Sequence, residues 1–257
     1  MAEAILDPTD IAVDYELLVQ RIIRTMRAGD DPLTLDDLAE MAGLSPFHFA
    51  RVFRSVTGVP PVEYQTSLRF LRAKELLLTS PASVTDICFE VGYGSLGTFS
   101  RRFKQIVGIT PAEFRALPEM VDRLDLEHQI TRLSLFHGGS QARIDGDIVA
   151  PGLDARIYIG LFPDNRPGGR PVVGQMLPEP GPFCLPSVPF GTWHLMAAAL
   201  PREADPVAQL LPNYIHVGGG GTVEIVRGDE QVRRLVVMRP ILSTAPPVMT
   251  ALPALLL

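Results

Sequence analysis

The sequence predicts a two-domain chain: an all-α domain made of two helix-turn-helix units, followed by an all-β sandwich. Three observations predict it. The stretch SLGTFSRRFKQIVGITPAEFR, residues 95–115, repeats at an offset of fifty: Phe99 falls on Phe49, Arg101 on Arg51, Phe103 on Phe53, Gly108 on Gly58, Pro111 on Pro61, Glu113 on Glu63 and Phe114 on Tyr64. Gly and Pro are sparse before residue 117 except at turns, whereas from Gly138 they punctuate short apolar runs, which reads as helices followed by strands. A chain of 257 residues can also bury two separate cores. The expected division is 1–118 for the double helix-turn-helix domain, 119–137 for a linker that could be a helix, and 138–257 for a β-sandwich ending in an apolar tail.

In the first unit, Leu35, Leu38, Ala39 and Met41 or Ala42 give a short apolar helical face, with Asp36 and Asp37 in the first turn and Gly43 ending it. Ser45 is an N-cap with Pro46 at the first helical position, opening a second helix that runs to about Val56 and stops at Gly58. Pro61 to Thr79 has no interior breaker and predicts one helix joining the units. The second unit repeats the plan: Ser83 caps toward Asp86, Val84, Ile87, Cys88 and Val91 are apolar, a turn at Gly92–Gly94 is one residue longer than the first, and Ser95 caps the next helix.

On a helical wheel, Phe99, Phe103 and Ile106 group together, while Arg101 lies opposite with Gly97, Thr98, Lys104 and Gln105 around it. The first copy does the same: Phe49, Phe53 and Val56 face one way, and Arg51 faces the other with Phe47, His48, Arg54 and Ser55. A lone exposed arginine is usually only solvated, but two at matched positions argue for a reading surface. Net charge is −6, yet between Ser45 and Lys104 eight basic side chains (Arg51, Arg54, Arg69, Arg72, Lys74, Arg101, Arg102, Lys104) meet four acidic ones. Local sign decides contact with a polyanion, and here it is positive.

Residues 14–115 resemble the DNA-binding domain of the AraC/XylS family of bacterial transcription regulators. The signature is Arg72, Ala73, Lys74, Leu76 and Leu77 leading into SVTDICFEVGYGSLGTFSRRFKQIVGITPAEFR. The resemblance implies that the second helix of each unit enters a major groove, with the positions of Phe47, Ala50 and Arg51 and of Gly97, Thr98 and Arg101 facing bases. Ala50 and Gly97 offer no hydrogen bond, which shifts readout to Arg51 and Arg101. The expected base-reading residues are Phe47, His48, Arg51, Thr98 and Arg101, and the expected phosphate contacts are Ser45, Arg54, Ser95, Arg102, Lys104 and Gln105. The partner this implies is double-stranded DNA. RNA polymerase, a small-molecule effector and a second copy of the chain are further candidates.

The second half predicts strands at 142–149, 156–162, 172–177, 183–185, 191–199, 214–217, 222–227 and 232–239, with clean alternation in Arg156–Ile159 and Val223–Val226. GPFCLPSVPFGTWHLMAA is similar to an element of the prealbumin-like or carboxypeptidase-regulatory-like β-sandwiches. No nucleophile, base and oxyanion set is present: HGGS at 137–140 reads as a linker turn, and Gly218–Gly221, lacking the Lys-Ser/Thr of a phosphate loop, as a turn between strands. The five histidines show no metal-ligand spacing. The expectation is therefore a non-enzyme without cofactor or metal, cytoplasmic because no secretory leader or bilayer-spanning run is visible, with Cys88 and Cys184 as free thiols. Two rival readings are a repair-type enzyme fused to the DNA-binding unit and an architectural protein binding DNA without preference. The apolar tail Val248–Leu257 is expected to favour pairing with a second subunit.

Overall fold

The computed structural model describes residues 8–29, 33–121, 131–134, 141–165, 168–202, 207, 210–211 and 215–250. Among the described residues, seven helices come first: α1 (Pro8–Ala28), α2 (Leu35–Ala42), α3 (Pro46–Thr57), α4 (Pro61–Thr79), α5 (Val84–Glu90), α6 (Leu96–Val107) and α7 (Pro111–Val121). Nine strands follow: β1 (Thr131–Ser134), β2 (Arg143–Val149), β3 (Arg156–Phe162), β4 (Val173–Leu177), β5 (Pro182–Leu185), β6 (Gly191–Leu200), β7 (His216–Ile225), β8 (Gln231–Val237) and β9 (Arg239–Pro240).

The helix boundaries follow the capping chemistry. Thr34 and Asp37 form a reciprocal capping box at α2, and Ser83 and Asp86 form its counterpart at α5. Ser45 and Ser95 each accept a backbone N–H three residues on, opening α3 and α6. Gly58 and Gly108 close those helices in the left-handed region, at φ 81° and 101°, and donate to the carbonyls of Arg54 and Lys104.

Two separate cores fill the helical half. The first gathers Val19, Ile22, Ile23, Phe49, Phe53 and Tyr64. The second gathers Phe70, Ile87, Cys88, Phe99, Phe103 and Phe114, and also takes in Leu210 and Met249 from the far end of the chain. The four phenylalanines on the inner faces of α3 and α6 are fully buried, as the wheel requires.

The β half holds a six-stranded sheet in the order β1-β4-β3-β6-β7-β9 and a three-stranded sheet in the order β5-β2-β8. Both feed one core, with Ile144, Phe183, Leu185 and Val236 from the small sheet and Ile157, Ile159, Leu161, Leu195 and Val223 from the large one. Most ladders are antiparallel, but β2 and β8 run parallel.

Several expectations change here. The predicted pair 214–217 and 222–227 is one strand, β7, and Gly218–Gly221 is no turn; it carries a bulge opposite Leu195 and Met196. Glycine is needed because a Cβ at Gly220 would collide with the Leu195 side chain and one at Gly218 with Val236 and Met238. Alternation in β3 suggested one wet face, yet every residue of β3 is buried, because Tyr158, Phe162, Met176, Ala198 and Leu200 form a further cluster. Residues 131–134, placed in the linker by the sequence, pair with β4 as a strand, whereas most of the linker and the HGGS stretch lie outside the described residues.

The described part of the tail, through Thr250, is buried: Met249 packs into the second helical core, and Val248 and Thr250 are buried beside it in sequence. Residues 251–257 lie outside the described set. Among the described residues no helix is long and apolar enough to cross a membrane.

Candidate nucleic-acid interface

α3 and α6 present matched outer faces. Arg51 and Arg54 on α3, and Thr98, Arg101, Arg102, Lys104 and Gln105 on α6, are all exposed, and Phe47 is 79 % exposed at the start of α3, which leaves an aromatic ring in water with no core to join. Ala50 and Gly97 lie between these groups and add no donor, and nothing lies within 4 Å of a Cβ built on Gly97. His48 differs from the other expected readers: it is half-buried, its ring edge-on to Tyr15 of α1 with centroids 6.0 Å apart.

Capping occupies two of the expected phosphate contacts. Ser45 Oγ accepts the His48 N–H (3.4 Å), and Ser95 Oγ accepts the Thr98 N–H (3.3 Å) while donating to Thr98 Oγ1 (3.0 Å). Both hydroxyls thus sit at helix N-termini, where unpaired N–H groups favour an anion. Burial pushes the pKa of the Tyr93 phenol up, and the positive charge of nearby Arg102 works against that rise. At the other end of α6, the β3–β4 loop closes in: Gly169 N–H donates to Ile106 O at 2.6 Å, and a Cβ on Gly168 would stand 3.1 Å from that same oxygen. Gln105 therefore lies beside the β half.

The basic tally also needs correction at Lys74. It is fully buried, 5.2 Å above the Phe114 ring, with Nζ donating to Met249 O at 3.5 Å. Burial alone lowers its pKa to about 7, so it adds little to the surface field.

The sequence reading missed a cleft of about 780 Å³ between the units, lined by Arg27, Leu33, Gln65, Arg69, Arg72 and Glu90 among others. Arg72 is ion-paired at 3.6 Å to both Glu75 and Glu90. Such half-exposed pairs are worth ~0–1 kcal/mol and mainly neutralise one another. Only the long spacing between α1, α4 and α5 could have hinted that these arginines meet.

Among the described residues no cluster of three or more His, Cys, Asp and Glu could hold a metal. The Cys88 thiol is buried, which pushes its pKa up and away from reactivity. Trp193 packs against the β core and donates to Pro189 O at 2.9 Å, while His194 pairs through Nδ1 with Thr222 Oγ1 at 3.3 Å.

Two helix-turn-helix units on one connecting helix define a double helix-turn-helix protein. Comparison with known proteins agrees: a helix-turn-helix domain model matches residues 38–117. Regulatory protein SoxS of Salmonella typhimurium is 37 % identical over 104 residues, which are 40 % of this chain and 97 % of that protein. The HTH-type transcriptional activator AarP of Providencia stuartii is 37 % identical over 83 residues, 32 % of this chain and 62 % of that protein. A crystal structure of an AraC-type DNA-binding-domain protein from Chromobacterium violaceum is 30 % identical, covering 40 % of this chain and 94 % of that one at a TM-score of 0.39. The chain belongs to the AraC-type family of helix-turn-helix transcription regulators. AarP is matched over less than two thirds of its length, and none of the three matches covers more than 40 % of this chain.

Proposed function

We propose that this protein is a sequence-specific DNA-binding transcription regulator, not an enzyme, whose helices α3 and α6 read two adjacent major grooves of one duplex. The observation that carries this reading is the matched pair of cationic outer faces, Arg51 and Arg101, borne by two units on one uninterrupted 19-residue helix. Such a helix is roughly 28 Å long. Successive major grooves on one face of DNA recur about every 34 Å, within reach of two units held at its ends.

Phe47, Arg51, Thr98 and Arg101 are the base readers in this proposal, with Phe47 suited to an apolar contact such as a thymine methyl. His48, held against Tyr15, is the least free of the set. Ser45, Arg54, Ser95, Arg102, Lys104 and Gln105 are the phosphate contacts that set register. Residues 1–118 form the DNA-binding part and the two-sheet β half, read as a sandwich, is the regulatory part, taking an effector or a second subunit. RNA polymerase is the further partner that a transcription regulator of this kind would meet.

The test is selection of bound duplexes from a random library by the full chain, at several salt concentrations. Recovered sequences should contain two clusters of preferred bases about one helical turn apart. A single cluster would break the two-groove reading, and uniform binding to random duplex with only a steep salt dependence would make the protein architectural.

A further inference from the structure

The described tail touches both helix-turn-helix units within five residues. Ala245 O accepts from the Tyr64 hydroxyl at 3.1 Å, and Tyr64 belongs to the first core, packed edge-on against Phe53 at 5.5 Å. Four residues later Met249 enters the second core, 2 % exposed, and its carbonyl accepts from Lys74. The dimensions agree: Tyr64 and Lys74 are ten residues apart on α4, roughly 15 Å, and four extended residues span about 13–14 Å. Thr244, Val248 and Thr250 are buried alongside.

On α4 the cleft is lined by Gln65, Leu68, Arg69, Leu71, Arg72 and Glu75. At 100° per residue Lys74 lies half a turn from Gln65, whereas Tyr64 falls between Leu71 and Glu75 and its hydroxyl accepts from cleft-lining Arg27 at 3.4 Å, so the tail starts at the edge of the cleft and leaves it toward Lys74. Upstream it is tied to the large sheet, since Ile241 N–H donates to Ile215 O at 3.2 Å and β9 pairs with β7.

We propose that the helical domain carries a peptide-docking groove along α4, from Tyr64 to Lys74, and that residues 244–250 are its built-in ligand, a strap by which the β half holds the two reading helices at one spacing. A single helix between the units leaves their relative orientation to one element and the contacts it makes. The strap adds a second connection along α4, and converts two modest binding modules into one rigid bidentate reader whose second contact is made at high effective concentration. Releasing it leaves each unit able to bind while removing their coordination. The consequence for DNA rests on the function proposed above; the docking itself does not.

The experiment uses the full-length chain carrying Met249→Glu, which places a charge in the second core. Hydrogen exchange at the amides of Thr244, Ala245, Val248, Met249 and Thr250 reports docking, Pro246 and Pro247 having none, and affinity is measured for a duplex holding both base clusters and for one holding a single cluster. The expected result is loss of protection in 244–250, at least a tenfold loss of affinity for the two-cluster duplex, and little change for the single-cluster duplex. A synthetic peptide of residues 241–250 added in excess should restore part of the lost affinity, which general damage to the fold would not allow. Tyr64→Phe is the gentler variant: it keeps the ring, deletes only the hydroxyl, and should increase exchange at Ala245 and neighbours with a smaller effect in the same direction. Unchanged protection in Met249→Glu overturns the strap. Lost protection with an unchanged two-cluster to single-cluster ratio overturns its role in coordination. If the wild type binds no duplex, the DNA-binding reading fails, and anisotropy of the labelled peptide on Met249→Glu still judges the groove: saturable binding supports it and none overturns it.

Discussion

In the first helix-turn-helix unit, α1 lays Val19, Ile22 and Ile23 over Phe49 and Phe53, and the core is completed by residues 15–68. In the second, α7 supplies Phe114 and Leu117, and the last places are taken by Leu210 and Met249, which arrive from the β half. Two segments with matching caps, matching aromatic pairs and matching outer arginines are thus closed in different ways. The apolar core of the first is filled from residues 15–68 alone, whereas that of the second also takes in side chains from the remote chain. Sequence repetition here guarantees a repeated local fold but not a repeated stability.

The sharpest way to expose that asymmetry is through Lys74, the one ammonium buried where the strap crosses α4. Its folded-state pKa is depressed from 10.5 to about 7, so the folded protein disfavours the protonated form. Protonation therefore opposes folding: the penalty is fully present below pH 7, falls as pH climbs, and vanishes above about 10.5. Its size is on the order of 3–5 kcal/mol. Lys74→Met should unfold at higher denaturant than wild type at pH 7 and at nearly the same concentration at pH 10. Parallel pH profiles for the two proteins would mean that the ammonium is hydrated in the folded state.

Met249→Ala comes next, at ~2–5 kcal/mol for a buried methionine. Exchange should rise across α5 and α6 and stay unchanged across α2 and α3, while Met26→Ala in the first core should do the reverse. Equal loosening of both units by either substitution would show one cooperative core in place of two. On the outer faces the units should behave alike: Arg51→Ala and Arg101→Ala are each expected to weaken binding by ~1–3 kcal/mol and to relax preference at one base position. If either left base preference intact, the corresponding helix would be reading with another face.

The smallest effect tests the part of the comparison that should be symmetric. Thr34→Ala and Ser83→Ala remove equivalent capping-box hydroxyls and should each cost about 1 kcal/mol in thermal unfolding. In both boxes the acidic partner accepts the cap residue's N–H and hydroxyl; these bonds hold the Asp37 carboxyl below its usual range. A gap between the two variants much larger than that would show unit-specific context reaching even the exposed caps.

What the sequence determined by itself was everything encoded at short range. Ser45, Gly58, Ser95 and Gly108 mark helix ends because capping and left-handed backbone are properties of single residues and their immediate neighbours. The pairing of Phe49 with Phe53 and of Phe99 with Phe103 marks inner faces because helical periodicity is local. The outer arginines follow from the same wheel. Only the tertiary structure decided the closing contacts: that four consecutive glycines lie inside a strand under Leu195, that an alternating strand is buried on both faces, and that an apolar tail covers its own helical domain. It also decided that Lys74, one of eight basic side chains in the reading segment, is no part of the surface charge. Each of these depends on a partner up to 175 residues away. The residues are apolar, small or long enough to be buried, but nothing in their local pattern names the surface that buries them, because apolar burial is non-directional and is resolved only when the whole chain has found its layers.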